Sequence, residues 1–192
     1  MEVMDALLRR RSVRKYTSDP VSDEILEDIL KAGVCAPSAV NRQPWYFVAI
    51  RSREQMDLLM AVMDYVSQKI EPGLKQRFKN YPDVVQETTA FIRRLGSAPV
   101  CILAFRFRPD ESDAALGEVQ SIAAAIENIL LAAVGKGLGG CWLTAPVEAG
   151  IGNQLRDTFA PGKGPLVAML TIGYPEAIPA PPARKSGRYV II

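Results

Sequence analysis

The run Arg9-Arg10-Arg11-Ser12-Val13-Arg14-Lys15-Tyr16 puts five cations into seven residues, with a serine between them and a tyrosine after them. Guanidinium forks grip oxyanions bidentately, and an interleaved hydroxyl adds a further donor, so the set suits a phosphate or a polyhydroxyl chain. Taken alone, the run equally suits the solvated end of a helix, where cations favour the C-terminal dipole, or a patch for polyanions. A second basic pair, Arg184-Lys185, is available to converge on the same anion. The loop Ala36–Pro44 supplies one hydroxyl (Ser38) and two amides (Asn41 and Gln43) between Pro37 and Pro44. Prolines restrict themselves and their predecessors, so this loop is stiff. Amides can donate and accept toward the edge of a heterocycle such as a flavin ring, although a polar loop capping a strand has the same composition.

A third constellation, Gly137-Leu138-Gly139-Gly140-Cys141-Trp142, brings three glycines to the start of a strand, where a missing Cβ lets another backbone come close. It precedes a strand and does not open a helix after one, so it is neither a dinucleotide fingerprint nor a P-loop. A plain helix-to-strand turn is its simplest reading.

What is missing narrows the chemistry. The chain has no histidine. Ser-His-Asp and Cys-His nucleophiles and histidine-containing zinc sites are therefore excluded within it. A lysine, a carboxylate or a bound cofactor must carry any reaction, and a cofactor that makes the bonds itself fits best. A net charge of +2 gives no global field for nucleic acid. Cys35, Cys101 and Cys141 form no CxxC pair, leave one over in any disulfide scheme, and sit among apolar neighbours. They read as buried free thiols of a reduced, cytoplasmic protein. No signal-peptide core opens the sequence, and no run approaches the ~20 apolar residues that span a bilayer.

The elements that must position these residues follow from periodicity. Residues 2–10 form a short amphipathic helix with Val3, Met4, Leu7 and Leu8 on one side. Ser22 caps a second helix whose stripe is Ile25, Leu26, Ile29 and Leu30. Trp45–Ile50 reads as a strand buried on both faces. Ser52 and Gln55 cap a helix lined by Met56, Leu59, Met60 and Met63. Residues 67–82 are weakly patterned and read as loop with a helical turn, and 83–95 as helix. A strand at 99–105 precedes the longest helix, 114–136, which is apolar on most faces. A short strand at 141–144, a helix around 147–157 and a strand at 166–173 follow. A proline-rich arm at 175–183 leads to Tyr189–Ile192, an apolar β-prone stretch that pairing with a partner's sheet would cover. The layout is α+β, in one domain over residues 1–192.

RRSVRKY, APSAVNRQPW, GLGGCWL, IGYP and the PPARK arm occur in this order from about Arg9 to Lys185, and together they resemble the nitroreductase family of flavoproteins. The resemblance implies an FMN-binding nitroreductase-like α+β fold: a central, mostly antiparallel mixed sheet flanked by helices, in an intertwined homodimer with flavin sites at the interface. It implies that Arg10, Arg11, Ser12 and Arg14 contact the FMN phosphate and ribityl chain. Pro37, Ser38, Ala39, Asn41 and Gln43 would reach the flavin from the other subunit. Trp142, Leu143 and Thr144 would lie along the isoalloxazine and offer backbone groups near N5, to which the Thr144 hydroxyl could also donate. Arg184 and Lys185 would close over the phosphate.

The implied activity is ping-pong hydride transfer from NADH or NADPH through FMN to a nitroaromatic, quinone or similar acceptor, with no obligatory side-chain acid or base. Enone reduction, dehalogenation and dimethylbenzimidazole synthesis are alternatives on the same fold. A non-catalytic flavin-binding redox module is another, and polyanion binding by the basic run a third. No nucleic-acid or membrane partner is expected. The stretch Arg106–Asp113 is too short for the insertion that shapes the pocket of some larger relatives, and 64–96 is expected to form part of a lid.

Overall fold

The computed structural model describes residues 1–109 and 115–192. The expectation placed on 106–113 and the first residue of the expected long helix therefore fall partly outside the described residues. Seven helices and four strands follow in the order α1 (Val3–Arg9), α2 (Asp23–Val34), β1 (Trp45–Ile50), α3 (Arg53–Arg77), α4 (Pro82–Arg94), β2 (Val100–Arg106), α5 (Ala115–Gly135), β3 (Gly139–Leu143), α6 (Ala145–Glu148), α7 (Gly152–Phe159) and β4 (Leu166–Gly173). The caps read from sequence are present. Ser22 Oγ accepts from the Ile25 N–H at 3.3 Å, and Ser52 Oγ from that of Gln55 at 3.4 Å.

The strands form one sheet in the order β1-β2-β4-β3. Every strand pair is antiparallel, with Tyr46 opposite Phe105, Ile102 opposite Leu170 and Cys141 opposite Thr171. The mixed sheet expected from the sequence is thus antiparallel among the described residues; the one parallel contact is an isolated bridge between Ser12 and Gly140. Alternation along the central strands splits the core in two. Ile102, Ala104, Leu170 and Ile172 face α2 and α5. Cys101, Leu103, Phe105 and Met169 face α3, α4 and α7. A register shift between Ala104 and Phe105 lets both Leu166 and Met169 reach this second core.

Several boundaries differ from expectation. The longest helix is α3, at 25 residues, and it runs through Pro72 across much of the stretch expected to be loop. Its outer part hides from pattern reading because beyond Ser67 only Ile70, Glu71 and Leu74 of the helix are even half-buried. The helix expected around 147–157 is two short ones, parted at Gly150, whose φ is +70°. Strand β1 is an edge strand whose four central residues are only half-buried. Cys35 is exposed, whereas Cys101 and Cys141 are buried.

Helix α5 is long and apolar enough to cross a membrane by length and composition, which the sequence reading did not anticipate. Its apolarity has a packing reason: Ile122, Ile126 and Ile129 are fully buried between α2 and the sheet. Conversely, Val3, Met4, Leu7 and Leu8 of α1 are exposed, and only Ala6 of that helix is buried. Tyr189–Ile192 is exposed too, with Tyr189 89% and Ile191 90% accessible.

Candidate functional site

The arginine segment leaves α1 in an extended conformation and lies against the outer edge of β3. Ser12 bridges Gly140, and the Val13 N–H donates to the Gly140 carbonyl at 3.0 Å. The glycines make this approach possible. A Cβ on Gly139 would sit 2.5 Å from a Val13 methyl, and one on Gly140 2.7 Å from a Leu130 methyl. The glycine motif is therefore a docking edge as well as a turn. Farther along, Tyr16 is buried, with its hydroxyl 2.7 Å from the Val13 carbonyl and 2.8 Å from the Thr171 hydroxyl. Burial pushes this phenol far above its usual titration range.

The cations of this segment divide by what they already bind. Arg10 is paired with Glu127 on α5, Nε to carboxylate at 2.9 Å. Arg11 donates from Nη1 to the carbonyls of Leu8 at 2.8 Å and Arg10 at 2.5 Å, but its Nε is buried with no partner. Arg14 donates from Nη1 to the Ser12 carbonyl at 3.4 Å and has no carboxylate partner among the described residues; its guanidinium lies 5.8 Å from the Phe91 ring centre. A buried donor left unmade costs on the order of 1–3 kcal/mol, more if charged. An anion at this edge would satisfy it.

The loop 36–44 is built differently. Ser38 Oγ accepts from the Gln43 N–H at 3.0 Å, and Gln43 Nε2 donates to Asn41 Oδ1 at 3.1 Å. Outside anchors are the Ala39 N–H on Ser121 Oγ at 3.1 Å and Arg42 on Glu118 at 3.5 Å. Glu118 is itself buried against Arg106, 2.7 Å from its Nε. Val40, Asn41 and Gln43 all have positive φ, near 47–53°. Such left-handed non-glycine residues cost roughly 1–3 kcal/mol each and cluster where function fixes the backbone. Asn41, Arg42 and Pro44 line a cleft of about 390 Å³ with Phe107, Arg108 and Glu118.

At the far end of β3, Trp142 is half-buried and Leu143 buried. The Thr144 hydroxyl, expected to point its proton at a flavin, donates instead to Glu148 at 2.6 Å. Glu148 was not singled out from sequence; four residues after Thr144 on one helical turn, it was findable by spacing alone. Also missed was Lys163, which sits 4.5 Å and 3.9 Å from the ring centres of Tyr46 and Phe107. Sequence distance hid it: the two rings belong to β1 and the end of β2.

Within one chain, then, the structure brings Arg10, Arg11, Ser12 and Arg14 to the strand that carries Trp142 and Leu143. The Pro37–Gln43 loop stands apart. It is anchored on α5 at Ser121, whereas Arg10 meets α5 at Glu127, six residues or about 9 Å of helix rise away. Arg184 and Lys185 are exposed and form no ion pair among the described residues, although the arm they sit on starts beside the arginine segment, where the Glu176 N–H donates to the Lys15 carbonyl at 3.2 Å. The buried thiols offer no nucleophile. Burial pushes Cys101 up to about 12 and raises Cys141 as well.

An arginine-rich edge on an antiparallel α+β sheet suits a ligand that ends in an anion. The chain belongs to the Nitroreductase family, whose model matches residues 7–174. A BluB-like flavoprotein from Clostridium difficile superposes with a TM-score of 0.75 at 32% identity, covering 96% of this chain and 95% of that one. A Desulfovibrio desulfuricans protein solved in complex with FMN gives a TM-score of 0.75 at 27% identity, over 100% of this chain and 96% of its own. Among sequence relatives, an iodotyrosine deiodinase of Hydra vulgaris is 32% identical over 178 residues, which span 86% of this chain and 62% of the deiodinase. The residues of the arginine edge fit a flavin phosphate on the strength of the orphaned Arg11 Nε.

Proposed function

We propose that this protein is an FMN-dependent NAD(P)H oxidoreductase, cytoplasmic and acting as a homodimer. The observation that carries the reading is the buried Nε of Arg11, without a partner among the described residues, on a segment locked to the β3 edge beside an Arg14 that pairs with no carboxylate among them. In this reading Arg11, Ser12 and Arg14 hold the phosphate and ribityl chain. Arg10 orders the segment through Glu127 and contributes charge at longer range. Trp142 and Leu143 form the strand against which the isoalloxazine rests, and Arg184 and Lys185 come from the exposed C-terminal arm to close over the phosphate. When bound, FMN supplies hydride acceptance and donation. The chain's own residues bind it, orient it and keep water from it; protons come from solvent, since no histidine is present and Thr144 and Glu148 bond to each other.

The dimer is supported by what one chain leaves uncovered: the apolar side of α1, the half-buried edge strand β1 and the exposed Tyr189–Ile192. A partner would also bring its Pro37–Gln43 loop toward the arginine edge, which the same loop of the same chain does not reach. We assign a ping-pong cycle with nitroaromatic or quinone acceptors. Reductive dehalogenation is the second reading, favoured by the similarity to the Hydra deiodinase.

The test is the absorbance spectrum of the purified protein and the identity of what it releases. Yellow protein that releases FMN and is bleached by NADH or NADPH supports the reading; colourless protein that ignores added FMN overturns it. Acceptor panels with nitroaromatics, quinones and halotyrosines then separate the two activities, and parallel double-reciprocal lines identify the ping-pong cycle. Arg11→Ala is expected to weaken FMN binding more than Arg10→Ala, because only the first removes an unpaired donor.

A further inference from the structure

Behind the arginine segment lies a feature that neither the family likeness nor the proposed chemistry uses. Helix α4 ends in three consecutive left-handed residues, Leu95, Gly96 and Ser97, with φ of 53°, 61° and 60°. Leu95 is fully buried in that conformation. Two non-glycine residues held there, one on each side of Gly96, require a surrounding structure that over-determines them. Leu95 joins the core shared by α3 and α4, while Gly96 meets the arginine segment and the ring beneath it. The Gly96 carbonyl accepts from the Tyr16 N–H at 3.1 Å. A Cβ on Gly96 would meet the Arg14 carbonyl oxygen at 2.2 Å and the Phe91 ring at 3.3 Å. Phe91, one turn earlier and buried, lies under the Arg14 guanidinium. Arg14 is thus fixed at both ends, its backbone by the turn and its head group by an aromatic face instead of a carboxylate. An aromatic face holds a guanidinium in place while leaving its charge and its in-plane donors available.

We propose that Phe91 and Gly96 are positioning residues for Arg14, so that the α3–α4 hairpin sets how tightly the phosphate–ribityl end of the flavin is held. This rests on the FMN reading above. It gives the 64–96 region a role in cofactor retention, where the sequence suggested only a lid.

A double-mutant cycle on FMN affinity tests it, using flavin fluorescence quenching on the full chain. Phe91→Leu keeps the apolar packing and removes the ring face, and is expected to weaken FMN binding roughly 3- to 10-fold. Phe91→Tyr keeps the face and should bind as the unmodified protein does. In an Arg14→Ala background, Phe91→Leu should cause no further loss, because a positioning residue acts only through the group it positions. If the Phe91→Leu loss persists in full without Arg14, or does not occur with it, the proposal is wrong and Phe91 is only core. Unmodified protein that takes up no FMN overturns both this proposal and the reading beneath it; FMN uptake with additive losses overturns this one alone. Gly96→Ala should weaken FMN and lower thermal stability together, so Phe91, whose replacement keeps the fold, carries the decision.

Discussion

The arginine segment 10–16 and the loop 37–43 are both polar and both implied by the family to touch the flavin, yet they are made rigid in opposite ways. The segment is held from outside. Gly140 takes its backbone, Thr171 holds the Tyr16 hydroxyl, and the left-handed turn at Gly96 presses on Arg14. The loop is held from within, by Ser38 on the Gln43 N–H and Gln43 on Asn41, at the expense of three left-handed residues. Its outside anchors are few, Ser121 and Glu118. An element that must hold a charged ligand end gains from buttressing by the core. An element that must meet a partner's ligand across an interface has to carry its shape with it.

The largest way to break this contrast is at the loop's charged anchor. Glu118→Ala removes the carboxylate from the buried Arg106 guanidinium and from Arg42. Truncating one member of a buried ion pair costs about 3 kcal/mol or more. We expect a loss of that size in urea unfolding and release of the loop, seen as proteolytic nicking near Arg42. Next is the buttress of the segment. Gly139→Val drives a side chain into Val13, and overpacking of this kind costs about 1–3 kcal/mol. FMN binding should fall far more than the loss of stability suggests, while loop cleavage stays as in the unmodified protein. If Gly139→Val left FMN binding intact, the claim that the core holds the segment in place would fail.

How much of this was legible in the sequence differs between the same two regions. The arginine run and the polar loop were visible because their side chains are unusual for their positions. β2 and β4 were visible because burial on both faces leaves short, nearly unbroken apolar runs. What stayed hidden depends on partners far apart in sequence. Tyr16 with Thr171 is one such pair, and the fit of Val13 against Gly139 is another. The Leu95–Ser97 turn was hidden because its strain is backbone strain, and leucine and serine carry no mark of φ. The outer half of α3 was missed for a plainer reason: with so few buried residues it has almost no periodicity to read. Thr144 was correctly placed at the end of β3, but the direction of its hydroxyl belongs to Glu148.

A titration probes the buttressed side without mutating it. Cys101 and Cys141 are buried thiols raised by desolvation, and Tyr16, raised for the same reason, lies near both. For each, the folded form binds its proton more tightly than the unfolded chain does. Their contribution is complete below the unfolded titration point and is lost as pH rises toward the folded one. For Cys101 that window runs from about 9 to about 12. Stability should therefore fall above pH 9, tending toward about 1.4 kcal/mol per pH unit for each such group. Cys101→Val should flatten the urea-midpoint curve between pH 9 and 11. An unchanged slope would show that alkaline loss comes from elsewhere.

Two smaller changes sharpen the picture of a loop that carries its own shape. Ser38→Ala deletes the acceptor that closes the loop on the Gln43 N–H, and losing one such bond costs about 1 kcal/mol. The stability change should be of that order, with a larger effect on FMN binding if the loop's own conformation serves the ligand. Val40→Gly tests the strain directly. Val40 is 86% exposed and β-branched at a φ of 47°, so glycine relieves strain while adding freedom to the unfolded chain. These terms oppose, and a net gain of about 0.5 kcal/mol in stability is expected. That gain should come with weaker flavin binding, because a loop relaxed by glycine no longer presents Asn41 and Gln43 in one fixed orientation. Stability and binding moving in opposite directions would mark the strain as functional; stability and binding rising together would show that the loop's backbone is merely tolerated.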